Sequence, residues 1–404
     1  MDPGLLTAYV ALSTMAVVPI YYGSFLSLKK IKRPAPSKHK ADADVSSESE
    51  SEEETESLST EDAYMFPLLG SAVLFSMYLI FRFLNKEYIN YLVTTYFAII
   101  GVAALTKLGA VIIRGVTGIK ERSFHLRLNK ANKEYFDVRF TRLHMVSAVI
   151  SFVCTAYYAY TKNWIVSNLF GIAFSLSAVQ LIQLDSFKTG FILLAGLFFY
   201  DIFWVFGTEV MVSVAKNFNA PIKVMFPRSF FVAAGEKMQF TMLGLGDIVI
   251  PGVFVAMCLR FDQYLARRST TPPTHDKPYA FAKPYFYGAF AAYVIGLTTT
   301  FVVMHTFKAA QPALLYLSPA CSLSAIIVAA MRGELSQLFS YTADPPADDK
   351  KKKNNKDGDD KQEAANKDEN AIKADDEDSS NDEDDAGDEG EKSRPVRRSR
   401  RNRK

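Results

Sequence analysis

Runs of about 20 mostly apolar residues recur along this chain, the length a helix needs to cross a hydrocarbon core of roughly 30 Å. Lipid leaves such a run one local structure, the helix, because every backbone N–H and C=O must find its partner inside the segment. Nine runs fit: residues 5–27, 66–84, 88–106, 145–161, 164–184, 188–210, 239–259, 285–304 and 309–331. The expected fold is an all-α polytopic membrane protein with nine transmembrane helices. A soluble chain of 404 residues would make two or three domains; here the 49% hydrophobic content is gathered into the runs. The net charge of +3 says little about partners, because the charge lies between them.

The first run is too long for the apolar part of a signal peptide, and its leading flank, Met1-Asp2-Pro3, is not basic. It reads as an uncleaved span. Lys29, Lys30, Lys32 and Arg33 follow it, which places its N-terminus outside the cytosol. The loop after span 3 agrees, with Arg114, Lys120, Arg122, Arg127, Lys130, Lys133, Arg139 and Arg142, as does the loop after span 7, with Arg267, Arg268 and Lys277. Loop 211–238 disagrees, with Lys216, Lys223, Arg228 and Lys237 on the side away from the cytosol. Nine spans then put the C-terminus in the cytosol.

Residues 43–62 include "SSESESEEETES", and residues 343–404 contain no aromatic residue. Both lack the apolar surface to offset ordering entropy and are expected to be disordered. The basic end, "RPVRRSRRNRK", reads as a solvated tail. The expected organisation is a first span in 1–28, a cytosolic disordered linker in 29–65, spans 2–5 in 66–184, spans 6–9 in 185–341, and a charged cytosolic tail in 342–404. Cys154, Cys258 and Cys321 each fall in an apolar run, which reads as packing rather than a disulfide framework, and no metal-ligand spacing occurs.

Two acids stand out against this background. Asp201 lies in the middle of "LFFYDIFWVFGTEV", and Asp247 in "MLGLGDIVIPG" of the following span. A charged Asp at a bilayer-spanning helix centre costs roughly 2.5–3.5 kcal/mol on insertion scales. Arg82, Lys107, Glu209 and His305 lie near span ends, and no intramembrane Lys or Arg matches the two acids. Each Asp could serve only structure, at a kink or a polar contact. Two at similar depth are better explained by one site, where neighbouring carboxylates share a proton and titrate as a pair. Such a pair supplies a base and an acid, as hydrolysis of a peptide bond by water requires.

Gly244 and Gly246 flank Leu245 just before Asp247, and Pro251-Gly252 follows. Two glycines cost a helix about 2 kcal/mol relative to alanine, so this segment is poised to unwind and offer its backbone to an extended peptide. Simple helix packing on small residues is the plainer alternative. "QPALLYLSP" opens the last span; Pro312 cannot donate a backbone hydrogen bond, and Pro319 interrupts the ladder again.

Together Tyr200-Asp201, Gly244-Leu245-Gly246-Asp247 and Pro312-Ala313-Leu314 resemble the YD, GxGD and PAL motifs of intramembrane aspartyl proteases. "FYDIFWVFGTEVMVSVAK", Trp164–Phe174 and "QPALLYLSPAC" are more similar to the signal peptide peptidase branch than to presenilin, and the likeness runs over roughly residues 66–341. The resemblance implies a presenilin-like bundle with Asp201 and Asp247 as the catalytic pair. Tyr200, Gly244, Leu245, Gly246, Pro312, Ala313 and Leu314 would shape the substrate site. It further implies an endoplasmic reticulum membrane, a luminal N-terminus, and signal-peptide remnants and other type II transmembrane segments as substrates. A homo-oligomer and partners in ER-associated degradation belong to the same set of implications. No cofactor, metal or nucleic acid is expected. A proton- or cation-coupled transporter or channel is the competing reading, since acids on broken helices also carry ions. A non-catalytic membrane scaffold is a third.

Overall fold

The structure, a computed structural model, describes residues 3–28, 56–117, 124–130, 133–217, 220–229, 238–268, 279–307 and 311–343. Among them nine helices are long and apolar enough to cross a membrane. These are α1 (Pro3–Leu26), α2 (Thr60–Phe83), α3 (Lys86–Thr117), α4 (Arg142–Thr161), α5 (Trp164–Leu181), α6 (Phe187–Phe206), α8 (Gly246–Arg268), α9 (Pro284–Phe307) and α10 (Leu314–Arg332). Two short helices, α7 (Val210–Asn217) and α11 (Leu335–Ser340), complete the set. Three two-stranded sheets lie between helices. β1 (Glu56–Leu58) runs parallel to β4 (Ile182–Leu184), β2 (Phe124–Lys130) antiparallel to β3 (Lys133–Phe140), and β5 (Lys223–Pro227) antiparallel to β6 (Phe240–Gly244).

The helix α8 is the central post. From Pro251 to Gln263 every residue is buried, as expected of a helix with partners on all sides. It packs against α1, α5, α6, α9 and α10. Lipid offers no hydrophobic drive between helices, so close approach over small residues does that work. A methyl group at Gly252 would come within 2.9 Å of Val179 Cγ2 and 3.0 Å of Ile20 Cγ1; one at Gly190 would meet Phe254 at 2.9 Å. The outer helix α2 buries only Ala63 and Phe81 and exposes Leu68 and Leu69, the surface expected to face acyl chains. Cys258 and Cys321 are buried, Cys154 is half-buried, and all three are free thiols.

Several boundaries differ from expectation for physical reasons. The linker expected over 29–65 is ordered from Glu56, where β1 pairs with β4. Ser59 and Asp62 then form a capping box, which starts α2 at Thr60 rather than near 66. Residues 29–55 lie outside the described set. The helix α3 runs to Thr117, well past 106. The loop expected over 211–238 holds all but the first residue of α7, together with β5. In the expected tail, Thr342 bridges Ser186, and Ala343 N–H donates to the Asp185 carbonyl at 2.7 Å; residues 344–404 lie outside the described set.

The largest correction concerns the seventh span. It was expected at 239–259, but Phe240–Gly244 is strand and the helix runs Gly246–Arg268. Two more ionisable residues, Arg260 and Asp262, therefore sit buried inside a spanning helix. Asp262 has a structural partner: its Oδ1 and Oδ2 accept the backbone N–H groups of Tyr285 (3.3 Å) and Phe286 (2.8 Å) at the start of α9. Those donors have no intrahelical acceptor, so the carboxylate caps α9 from a neighbouring helix.

Candidate active site

Asp201 lies on α6, just under four turns from its start, and is 4% exposed. It faces the first residue of α10, and its Oδ2 accepts the Leu314 N–H at 3.0 Å. That N–H is available because α10 begins there: Pro312 and Ala313 are not part of the helix, and Ala313 C=O instead accepts from Leu317 N–H at 3.1 Å. Pro312, Ala313 and Leu314 are all buried. The Pro-Ala-Leu stretch thus stops the chain in an orientation that aims a helix N-terminus at a carboxylate.

Asp247 is the second residue of α8. Leu245 fixes the junction before it. Its N–H donates to Ile222 C=O at 3.0 Å, and its own carbonyl accepts from Ile248 (3.1 Å) and Val249 (2.8 Å). The strand β6 and the helix α8 are thereby joined across a single residue. Asp247 Oδ2 turns back over Gly244, 3.2 Å from where a Cβ would stand, while a Cβ at Gly246 would meet nothing within 4 Å. Gly244 gives the carboxylate room; exposed Gly246 leaves open space beside it. Tyr293 OH approaches the Asp247 carbonyl at 3.4 Å. The half-buried Asp247 lies close enough to Asp201 for their charges to interact across the α6–α8 interface.

Asp201 is thus in contact with Leu314, which follows Pro312 and Ala313, and Asp247 with Gly244, beside Gly246; the two acids lie within electrostatic reach of each other. Leu245 points its side chain toward Gly171 on α5, and Tyr200 points to α2, where its ring lies 3.6 Å from the Cβ position of Gly70. Successive residues on a helix do not share a face, which separates Tyr200 from its neighbour Asp201. Trp204, one turn on, ties the same face to α2 through its Nε1–H and Ser71 Oγ at 3.0 Å. Sequence reasoning overlooked Tyr293 and also Asn168, a buried amide in an apolar span; such polarity was the available signal.

The discordant basic loop also acquires an account. Arg228 Nε donates to Thr241 Oγ1 at 3.2 Å, and burial pushes the Lys223 ammonium below the usual lysine range. Both serve the β5–β6 hairpin. Gly4 at the start of α1 packs against the Arg228 carbonyl, so this hairpin and the beginning of α1 share one end of the bundle.

A family model described as "Signal peptide peptidase" matches residues 50–345. Proteins named "Signal peptide peptidase" from Mus musculus and Homo sapiens are each 39% identical over 351 residues, which is 85% of this chain and 85% and 86% of theirs. "Intramembrane protease 2" of Caenorhabditis elegans is 44% identical over 214 residues, covering 52% of this chain and 46% of its own. A multi-pass membrane protein with Asp201 and Asp247 on two of its spanning helices, this chain belongs to the signal peptide peptidase family of intramembrane aspartyl proteases.

Proposed function

We propose that Asp201 and Asp247 are the catalytic pair of this protease and share one proton in the resting state. The ionised member takes a proton from water as the water oxygen attacks a peptide carbonyl carbon. The protonated member gives its proton to the carbonyl oxygen, leaving a gem-diol. As that intermediate collapses, the amine takes the pair's proton while the C–N bond breaks and a gem-diol hydroxyl gives its proton to the other carboxylate, so acid and amine leave, one water has been consumed and the pair again shares one proton. The observation that carries this reading is that the carboxylates on α6 and α8 lie within electrostatic reach of each other, with open space at Gly246 next to Asp247. Leu314 N–H steadies Asp201 from behind, and Gly244 leaves room for Asp247.

The substrates are signal-peptide remnants and other type II segments in the endoplasmic reticulum membrane, the protein's N-terminus luminal and its C-terminus cytosolic. Loop charges and the names of the relatives support this. Self-association and contact with degradation machinery follow from the same kinship and are read by crosslinking in native membranes. The test of the chemistry is cleavage of a synthetic type II transmembrane peptide by the purified protein, compared with Asp201→Asn and Asp247→Asn. Orientation is tested with paired reporters carrying one apolar segment in either direction; equal cleavage of both would contradict it.

A further inference from the structure

Asn168 on α5 is 5% exposed, and both ends of its amide engage one residue. Oδ1 accepts the Met225 N–H at 2.8 Å, and Nδ2 donates to the Met225 carbonyl at 2.6 Å. Met225 is the central residue of β5. In an antiparallel pair, residues alternate between those that bond the partner strand and those whose polar groups turn away. Ile222 C=O bonds Leu245, and Arg228 N–H bonds Gln239. With the register Val224↔Leu243 and Phe226↔Thr241, this makes the even-numbered residues of β5 the bonded ones. Lys223, Met225 and Pro227 therefore face outward. Asn168 occupies Met225 as a neighbouring strand would, and Pro227 has no N–H to offer.

The outer edge of β5 is thus closed at two of its three positions. On β6 the outward residues are Phe240, Met242 and Gly244. Met242 is 48% exposed, and no second strand pairs with β6 among the described residues. Gly244 N–H is taken by the Asp247 carboxylate, so the open edge at Phe240 and Met242 runs up to that acid.

We propose that Asn168 is a positioning residue for the protease reaction. It closes β5 and pins the hairpin to α5, so that an extended substrate segment adds to β6 alone and in one register. The proposal rests on Asp201 and Asp247 being the catalytic pair. A slip of one residue along a strand moves the attacked carbonyl by about 3.4 Å, whereas misplacement by about 1 Å already costs a reaction on the order of a hundredfold. Loss of the clamp should accordingly appear as a change in which bond is cut.

The experiment compares full-length wild type, Asn168→Leu and Asn168→Ser on one synthetic type II transmembrane peptide, with products identified by mass. Leucine is close in size and makes no hydrogen bond; serine is the milder change and keeps a single hydroxyl. In both variants, cleavage should spread to neighbouring bonds. The ratio of the wild-type product to its neighbours should fall by about fivefold, the worth of roughly one net hydrogen bond. A residue that merely held the fold together would lower total turnover and leave the product ratio alone. Unchanged ratios in whichever variant folds overturn the proposal. Cleavage by Asp201→Asn or Asp247→Asn would instead remove the reading beneath it, and the product ratios of the Asn168 variants would stand as a separate result.

Discussion

Asp247 and Asp262 sit on the same helix, about four turns apart, and their surroundings differ in kind. Asp262 is 2% exposed, and each of its oxygens accepts a backbone N–H from the start of α9. Asp247 is half-buried, accepts a backbone N–H from Gly244 alone and lies within electrostatic reach of another acid. A carboxylate with a fixed donor on each oxygen is held in one orientation, which suits architecture. A carboxylate with acceptor capacity left over, beside a second acid and open space, can take up and release a proton. Burial depth alone does not separate the two roles; the donor inventory does.

That contrast is broken most forcefully by amides. Asp247→Asn and Asp201→Asn should each lower peptide cleavage by at least about 10³-fold. Thermal unfolding should stay level or rise, because a buried charge is removed. Substantial turnover by either purified variant would end the distinction. Asp262→Asn should do the reverse. Its amide turns an N–H toward a backbone N–H, so stability should drop by about 1–3 kcal/mol while turnover per folded molecule stays close to wild type. Unfolding midpoints and active-site titration on the same samples read both effects.

Two glycines sharpen the comparison. Gly246→Leu enters space with no atom within 4 Å, so folding should be spared while the cleavage rate falls by about 10²-fold where a substrate must approach. Gly252→Leu meets Val179 and Ile20 at once and should fail in folding first. A wild-type rate for Gly246→Leu would mean that substrate does not pass there. The smallest effect belongs to the tail. Deleting 347–404 keeps Ala343 on Asp185, and intrinsic turnover should change by less than about twofold, the scale of surface changes. Loss of activity in a folded truncation would assign the tail a part in the chemistry.

The spans were legible because hydropathy over 20 residues is a strong signal, and Asp201 was conspicuous for the same reason. The start of α8 was not. "FTMLG" is short and apolar, and such a run fits strand or helix equally until its pairing with Lys223–Pro227 is known. That error hid Arg260 and Asp262 inside the span. The start of α2 was legible in principle, since Ser59 and Asp62 spell a capping box, but the acidic composition of 43–62 masked it. The meeting of Leu314 with Asp201 joins residues 113 apart and depends on how α6 and α10 pack, which local pattern does not encode.

The β1–β4 pair has a mechanical meaning. Asp185 is held on one side by Leu58 and on the other by Ala343, and Thr60 and Thr189 touch at 2.9 Å just beyond. This knot anchors the foot of α6, and Asp201 stands about 21 Å along the rod. A tilt of about one degree at the foot would swing the carboxylate by roughly 0.4 Å, close to the tolerance of about 0.5 Å for a working site. Three residues of strand at one end of the bundle thus act as the bearing of a lever whose tip is the acid.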